Sequence, residues 1–177
     1  MMLNLRMAKS IMEQEDGMNH LWIQFLSEEL VTIEKAEVCI ELPSGLHRTP
    51  NLNGYVENET GCIVLNLSHD TDILLEIYTQ TAVDFDEARI VVTFRFQDSE
   101  NQWKQFNKDI SVHFVSEEEL EETLELDLQV IERVKELRTH AAEESNSVEF
   151  LIIQTRTYDH TDNEYAYLEK KYRVDYL

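Results

Sequence analysis

The stretch RTYDHTDNEYAY, residues 156–167, places Asp159, His160, Asp162, Asn163 and Glu164 within six positions. Carboxylate, imidazole and amide groups at that density are what a metal site would draw on. A related run, SHDTD, occupies residues 68–72. Two Asp-x-Asp pairs, Asp70 with Asp72 and Asp84 with Asp86, have the spacing that puts both carboxylates on one side of an extended loop, where calcium takes oxygen ligands. Neither pair is favoured as a metal site, because Asp and Asn also initiate turns by bonding their own backbone. No acidic twelve-residue loop with a central glycine is present, and no second histidine or cysteine lies near His160 to complete a transition-metal set. The candidate metal residues are therefore Asp70, Asp72, Asp84 and Asp86, with no cofactor expected.

Nucleophilic chemistry finds no better foothold. Six histidines and many acids are available, but a Gly-x-Ser-x-Gly elbow is missing. With Asp and Glu at one residue in five, a general acid–base pair cannot be singled out. The expectation is a protein that is not an enzyme.

Binding is better supported. Residues 116–149 hold twelve acids against Arg133, Lys135 and Arg138. Glu118, Glu122 and Glu125 are candidates for an acidic docking surface that meets a basic protein partner. An alternative is an inhibitor that mimics nucleic-acid phosphates and blocks a basic nucleic-acid-binding or defence protein. A second alternative is a calcium-dependent binding domain. Five of the seven tyrosines fall in the last twenty residues. Tyr158, Tyr165, Tyr167 and Tyr172 are partner-binding candidates, since tyrosine offers rigid apolar area with a polar tip. A C-terminal strand bearing them could pair with another chain, so a homo-oligomer is also expected.

The net charge of −21 argues against direct contact with nucleic acid or an anionic membrane, both of which need Lys and Arg to displace counterions. No run of about 20 apolar residues spans a bilayer, and the N-terminus lacks the apolar core of a secretory signal. The cytoplasm follows as the expected compartment, and Cys39 and Cys62 are expected as two reduced, buried thiols.

The elements that must position these groups are mostly strands. Ala36, Val38, Ile40 and Leu42 alternate with polar or small neighbours; so do Ala88, Ile90, Val92, Phe94 and Phe96, and Ile110, Val112 and Phe114. ENETG, residues 57–61, reads as a hairpin loop with glycine at a positive φ, and QDSENQ as a polar turn. The fold class is mainly β, α+β by content: an antiparallel β-sandwich of about seven strands, one long acidic helix, and a C-terminal β-hairpin packed on either. The expected divisions are a flexible or helical arm at 1–20, the sandwich at 21–115, the helix at 116–145 and the hairpin at 146–177. Ser116 and Glu119 fit a capping box that starts the helix. Leu124, Leu126, Leu128 and Val130 also alternate at period two, which leaves 123–130 open between helix and strand.

Overall fold

The computed structural model describes residues 2–26, 35–98, 100–116, 119 and 124–146. The chain divides into two compact units, Met1–Ser145 and Asn146–Leu177. The expected C-terminal hairpin and its tyrosines lie outside the described residues.

Nine strands and one long helix make up most of the described part, and Glu119 is helical as well. The strands are β1 (Met2–Met7), β2 (Ile11–Glu13), β3 (Met18–Leu26), β4 (Ala36–Glu41), β5 (Leu46–Arg48), β6 (Ile63–Leu65), β7 (Asp72–Thr79), β8 (Glu87–Gln97) and β9 (Trp103–Val115), and the helix is α1 (Leu128–Asn146). One sheet has the order β1-β3-β7-β5 and the other β2-β9-β8-β4-β6. All pairs are antiparallel except β2 with β9. Seven of the nine strands fall between Met18 and Val115, so the expected sandwich stands.

The alternation explains the layers. Along β3, Asn19, Leu21, Ile23 and Phe25 are buried while the intervening residues are half-exposed. Ile73, Leu75 and Ile77 of β7 meet them across the pair, with Leu21 opposite Leu75 and Ile23 opposite Ile73. The second sheet contributes Val38, Ile63, Ile90, Val92 and Phe94 to the same core, all fully buried. Each such side chain contributes about 1.5–3 kcal/mol through burial. Strand β7 is buried on both faces because α1 covers the outer one. Val130, Val134, Ile131 and Leu137 of α1 pack there against Leu74, Ala8 and Trp22.

Ion pairs fix that third layer. Asp72, 5% exposed, accepts from Arg133 Nε at 2.8 Å and Nη2 at 3.0 Å, and from Trp22 Nε1 at 2.7 Å. Arg138 reaches Glu76 at 2.7 Å, and Arg6 reaches Asp127 at 2.6 Å. The loop between β5 and β6 is braced by Arg48, which donates twice to Glu57 and once to the Gly61 carbonyl. Gly61 has the positive φ, 77°, expected of the ENETG turn.

Several expectations are corrected. The first 20 residues are not an arm: β1 pairs along its length with β3, Met2 opposite Leu26 to Met7 opposite Leu21, and β2 lies beside β9. Leu3, Leu5 and Met7 carry the same period two as the later strands, and they face the core. The helix is not continuous from 116, although Glu119 is helical and its amide donates to the Ser116 carbonyl. Residues 124–127 are non-helical, Leu126 bridges to Lys9, and α1 starts where Asp127 Oδ1 accepts the amides of Gln129 and Val130. An aspartate N-cap stops helix propagation further upstream. Cys39 and Cys62 are not free thiols but a disulfide. The register sets Val38 opposite Ile63, which brings residues 39 and 62 side by side with Cα atoms 4.3 Å apart. SHDTD is not a hairpin turn, because β6 and β7 lie in different sheets; it is a corner where the chain crosses between them.

Candidate functional site

Strand β1 is at the end of one sheet's order, and β2 and β9 are at the end of the other. Both ends open on the same side of the sandwich, where Lys108 Nζ of β9 donates to the Leu3 carbonyl of β1 at 2.6 Å. The chain crosses from β1 to β2 there. Asn19, 1% exposed, holds the crossing by accepting from the Lys9 amide and donating to the Lys9 carbonyl, both at 2.9 Å. A buried asparagine thus stands in for the ladder bonds the crossing gives up.

Beside the crossing lies a groove of about 550 Å³ lined by Leu5 and Met7 of β1, Ile110 and Ser111 of β9, and residues 125–129. Two hydrogen bonds between Ser10 and Glu125, each 2.9 Å, fasten the wall formed by that segment. Leu126 and Leu128 on this wall are 52% and 67% exposed. Further along β9, Phe106 is 48% exposed and stacks on Phe96, and Trp103 is 47% exposed beneath the guanidinium of Arg95. Phe106 stands opposite Phe94 and so faces inward, but the first sheet does not cover it. Trp103 and Phe106 are on opposite faces of the sheet, and single exposed apolar residues of this kind are ordinary.

Charges around the seam are mostly engaged. Lys104 binds Asp98 at 2.9 Å, Arg89 binds Asp109 at 3.3 Å, and Arg95 lies 3.7 Å from Glu37. The hydrogen bond from Lys104 lowers the Asp98 pKa, and the same contact raises that of Lys104.

The residues singled out in the sequence are not gathered at one place. Asp70 accepts the Asn66 amide at 2.7 Å, as a turn former does. Asp72 is turned inward to Arg133 and Trp22, so the two carboxylates of that pair serve different partners. Asp84 is exposed, and Asp86 accepts from Gln14 at 3.4 Å. Among the described residues no group of three or more His, Cys, Asp and Glu side chains is arranged to hold a metal ion. Glu125 is exposed on the groove wall, while Glu118, Glu122, Tyr158, Tyr165, Tyr167 and Tyr172 lie outside the described residues. His113 is exposed on β9. Burial lowers the pKa of His20, against the pull of Glu76 3.5 Å away. Sequence reasoning passed over Phe106, Leu126 and Leu128, because an apolar residue in alternation reads as core unless the extent of the covering sheet is known.

No family model and no curated protein sequence matches the chain. Among solved structures it is similar to the major pilin subunit of Bacillus cereus, at 9% identity over 65% of this chain with a TM-score of 0.44. It is also similar to the collagen-binding subdomain of the Enterococcus faecalis surface protein ACE, at 7% identity over 62% of this chain and 95% of that one, with a TM-score of 0.40. A third is BslA, a bacterial hydrophobin, at 16% identity over 64% of this chain and 100% of that one, with a TM-score of 0.31. The chain spans 40% of the length of the pilin subunit. Likeness at this level transfers neither partner nor site.

Proposed function

We propose that the protein is a non-enzymatic interaction module, an accessory, adaptor or assembly protein, that binds protein partners through the seam between β1 and β9. The observation that carries this reading is the open groove with Leu126 and Leu128 exposed on its wall. An extended apolar segment of a partner fits such a groove, with backbone pairing for affinity and pockets for specificity.

The described helix gives less support to nucleic-acid mimicry. Glu132, Glu136, Glu143 and Glu144 are set against Arg133, Lys135 and Arg138, so α1 carries a net charge of only −1. Seven further acids lie before it in sequence, at 117–127, and one of them, Asp127, is paired with Arg6. The disulfide supports folding in an oxidising compartment over the cytoplasm expected from the sequence.

Capture from an extract of the source cells tests the reading. The double variant Leu126→Glu with Leu128→Glu changes two exposed side chains and leaves the core intact. Proteins retained by the wild type and lost by the variant, at unchanged circular dichroism and melting temperature, are the expected result. Equal retention by both, or none by either, sinks the proposal.

A further inference from the structure

We infer that β9 pairs with β9 of a second copy of this chain, antiparallel about a two-fold axis at Asn107, to make one continuous sheet across a dimer. This rests on the seam being an interaction surface and names one of its partners.

Strand β9 has 13 residues, and β8 pairs with eleven of them, Trp103 to His113. On its other edge β2 takes His113, Phe114 and Val115. Among the described residues no strand pairs with that edge from Trp103 to Val112. Ten residues amount to about 33 Å of open ladder, well beyond the short edges proteins usually leave exposed. Lysine often guards such an edge. Here both lysines are held elsewhere, Lys104 by Asp98 in the adjoining turn and Lys108 by the Leu3 carbonyl across the seam.

Charge favours this place for a second copy. The chain carries −21, so two copies repel over most of their surfaces. Strand β9 carries Lys104 and Lys108 against Asp109 and is net positive. It is where self-association meets least resistance.

The register then follows from the residues. A two-fold axis perpendicular to the sheet keeps inward side chains inward. Centred on Asn107, it sets Lys104 opposite Ile110, Gln105 opposite Asp109, Phe106 opposite Lys108 and Trp103 opposite Ser111. No like charges face each other, and the paired span, 103–111, ends before β2 begins. Centring on Phe106 would oppose Lys104 to Lys108, on Lys108 would oppose lysine to itself, and on Asp109 aspartate to itself; centring on Gln105 or Ile110 opposes no like charges but pairs only 103–107 or 108–112, about half the span. In the Asn107 register the stem of Lys108 from the partner covers Phe106, whose exposure is otherwise unexplained.

Sedimentation equilibrium at near-physiological salt tests the inference. The wild type should pass from 20.9 kDa towards twice that mass as its concentration rises through the micromolar range. Asn107→Lys places two lysines face to face and should weaken the dimer by roughly fivefold. Gln105→Lys creates two contacts with the opposing Asp109 and should tighten it by roughly threefold or more. Both positions are exposed, so unchanged melting curves separate an interface effect from a folding effect. A monomer at every concentration, or a dimer indifferent to both substitutions, overturns the inference. A monomer that still captures partners in a Leu126- and Leu128-dependent way overturns the dimer alone. A dimer that captures nothing leaves it standing and removes the binding reading.

Discussion

Breaking the Cys39–Cys62 bridge should destabilise the protein by a calculable amount. The two residues are 23 apart in sequence, and closing a loop of that size in the unfolded chain corresponds to about 3 kcal/mol. For a chain of this length that is a fall in melting temperature of about 6–12 °C. The loss has a location as well as a size. Strand β6 is three residues long and pairs only with β4 among the described strands, and the bridge joins β4 to the residue just before β6. Without it the amides of Ile63 to Leu65 should exchange with solvent through local fraying, before the rest of the sheet opens. The assay compares wild type with Cys39→Ala/Cys62→Ala, each with and without a reductant, by thermal circular dichroism. The double variant should match the reduced wild type and ignore reductant. Two titratable thiols in folded protein purified without reductant would refute the reasoning, as would equal melting of oxidised and reduced wild type.

Two further predictions follow from buried charge. Burial alone would raise the Glu57 pKa, but hydrogen bonds from Arg48 and Asn51 outweigh it and bring the group down to about 2 from 4.5. The folded value is depressed, so the stabilisation is fully present above pH 4.5 and is lost as pH falls from there through 2. Its limit is about 3 kcal/mol, and Glu57→Gln should flatten the stability curve across that window. Arg133→Ala leaves the Asp72 carboxylate buried without its counter-ion and should cost about 3–5 kcal/mol by urea unfolding. Arg133→Ala combined with Asp72→Asn should cost less than the two single variants added together; a cost equal to their sum would show that the pair is not coupled.

The fold was legible wherever one face of a strand meets the core without exception. Ala88 to Phe96 and Ile110 to Phe114 show it, and both are strands. The first 20 residues have the same period, Leu3, Leu5 and Met7 against Asn4 and Arg6, but methionine density hid it. Asn19 hid the start of β3, because a buried polar residue breaks the pattern just where it replaces backbone hydrogen bonds. The helix start was misplaced for a related reason. Ser116 with Glu119 and Asp127 with Gln129 are both plausible caps from composition. Glu119 is indeed helical, and the pairing of Leu126 with Lys9, more than a hundred residues away, separates it from the helix that starts after Asp127. The disulfide depends on the register of β4 against β6, which no spacing rule supplies.

The seam was the least legible part, and the reason bears on how the protein works. Whether an inward-facing residue is core or surface depends on how far the opposite sheet extends. Phe106 obeys the alternation and sits across from fully buried Phe94, yet about half of it reaches solvent. A chain this acidic keeps other molecules of its kind at a distance, and acidic residues are dense at 117–127, close in sequence to the groove wall. The length of β9 that no described strand pairs escapes that charge, with its lysines tied to neighbours. Long-range repulsion together with one short-range, directional place of attachment favours a defined contact over indiscriminate aggregation. That combination is why the edge of β9, and not the acidic stretch or the carboxylate pairs, is the first place to perturb.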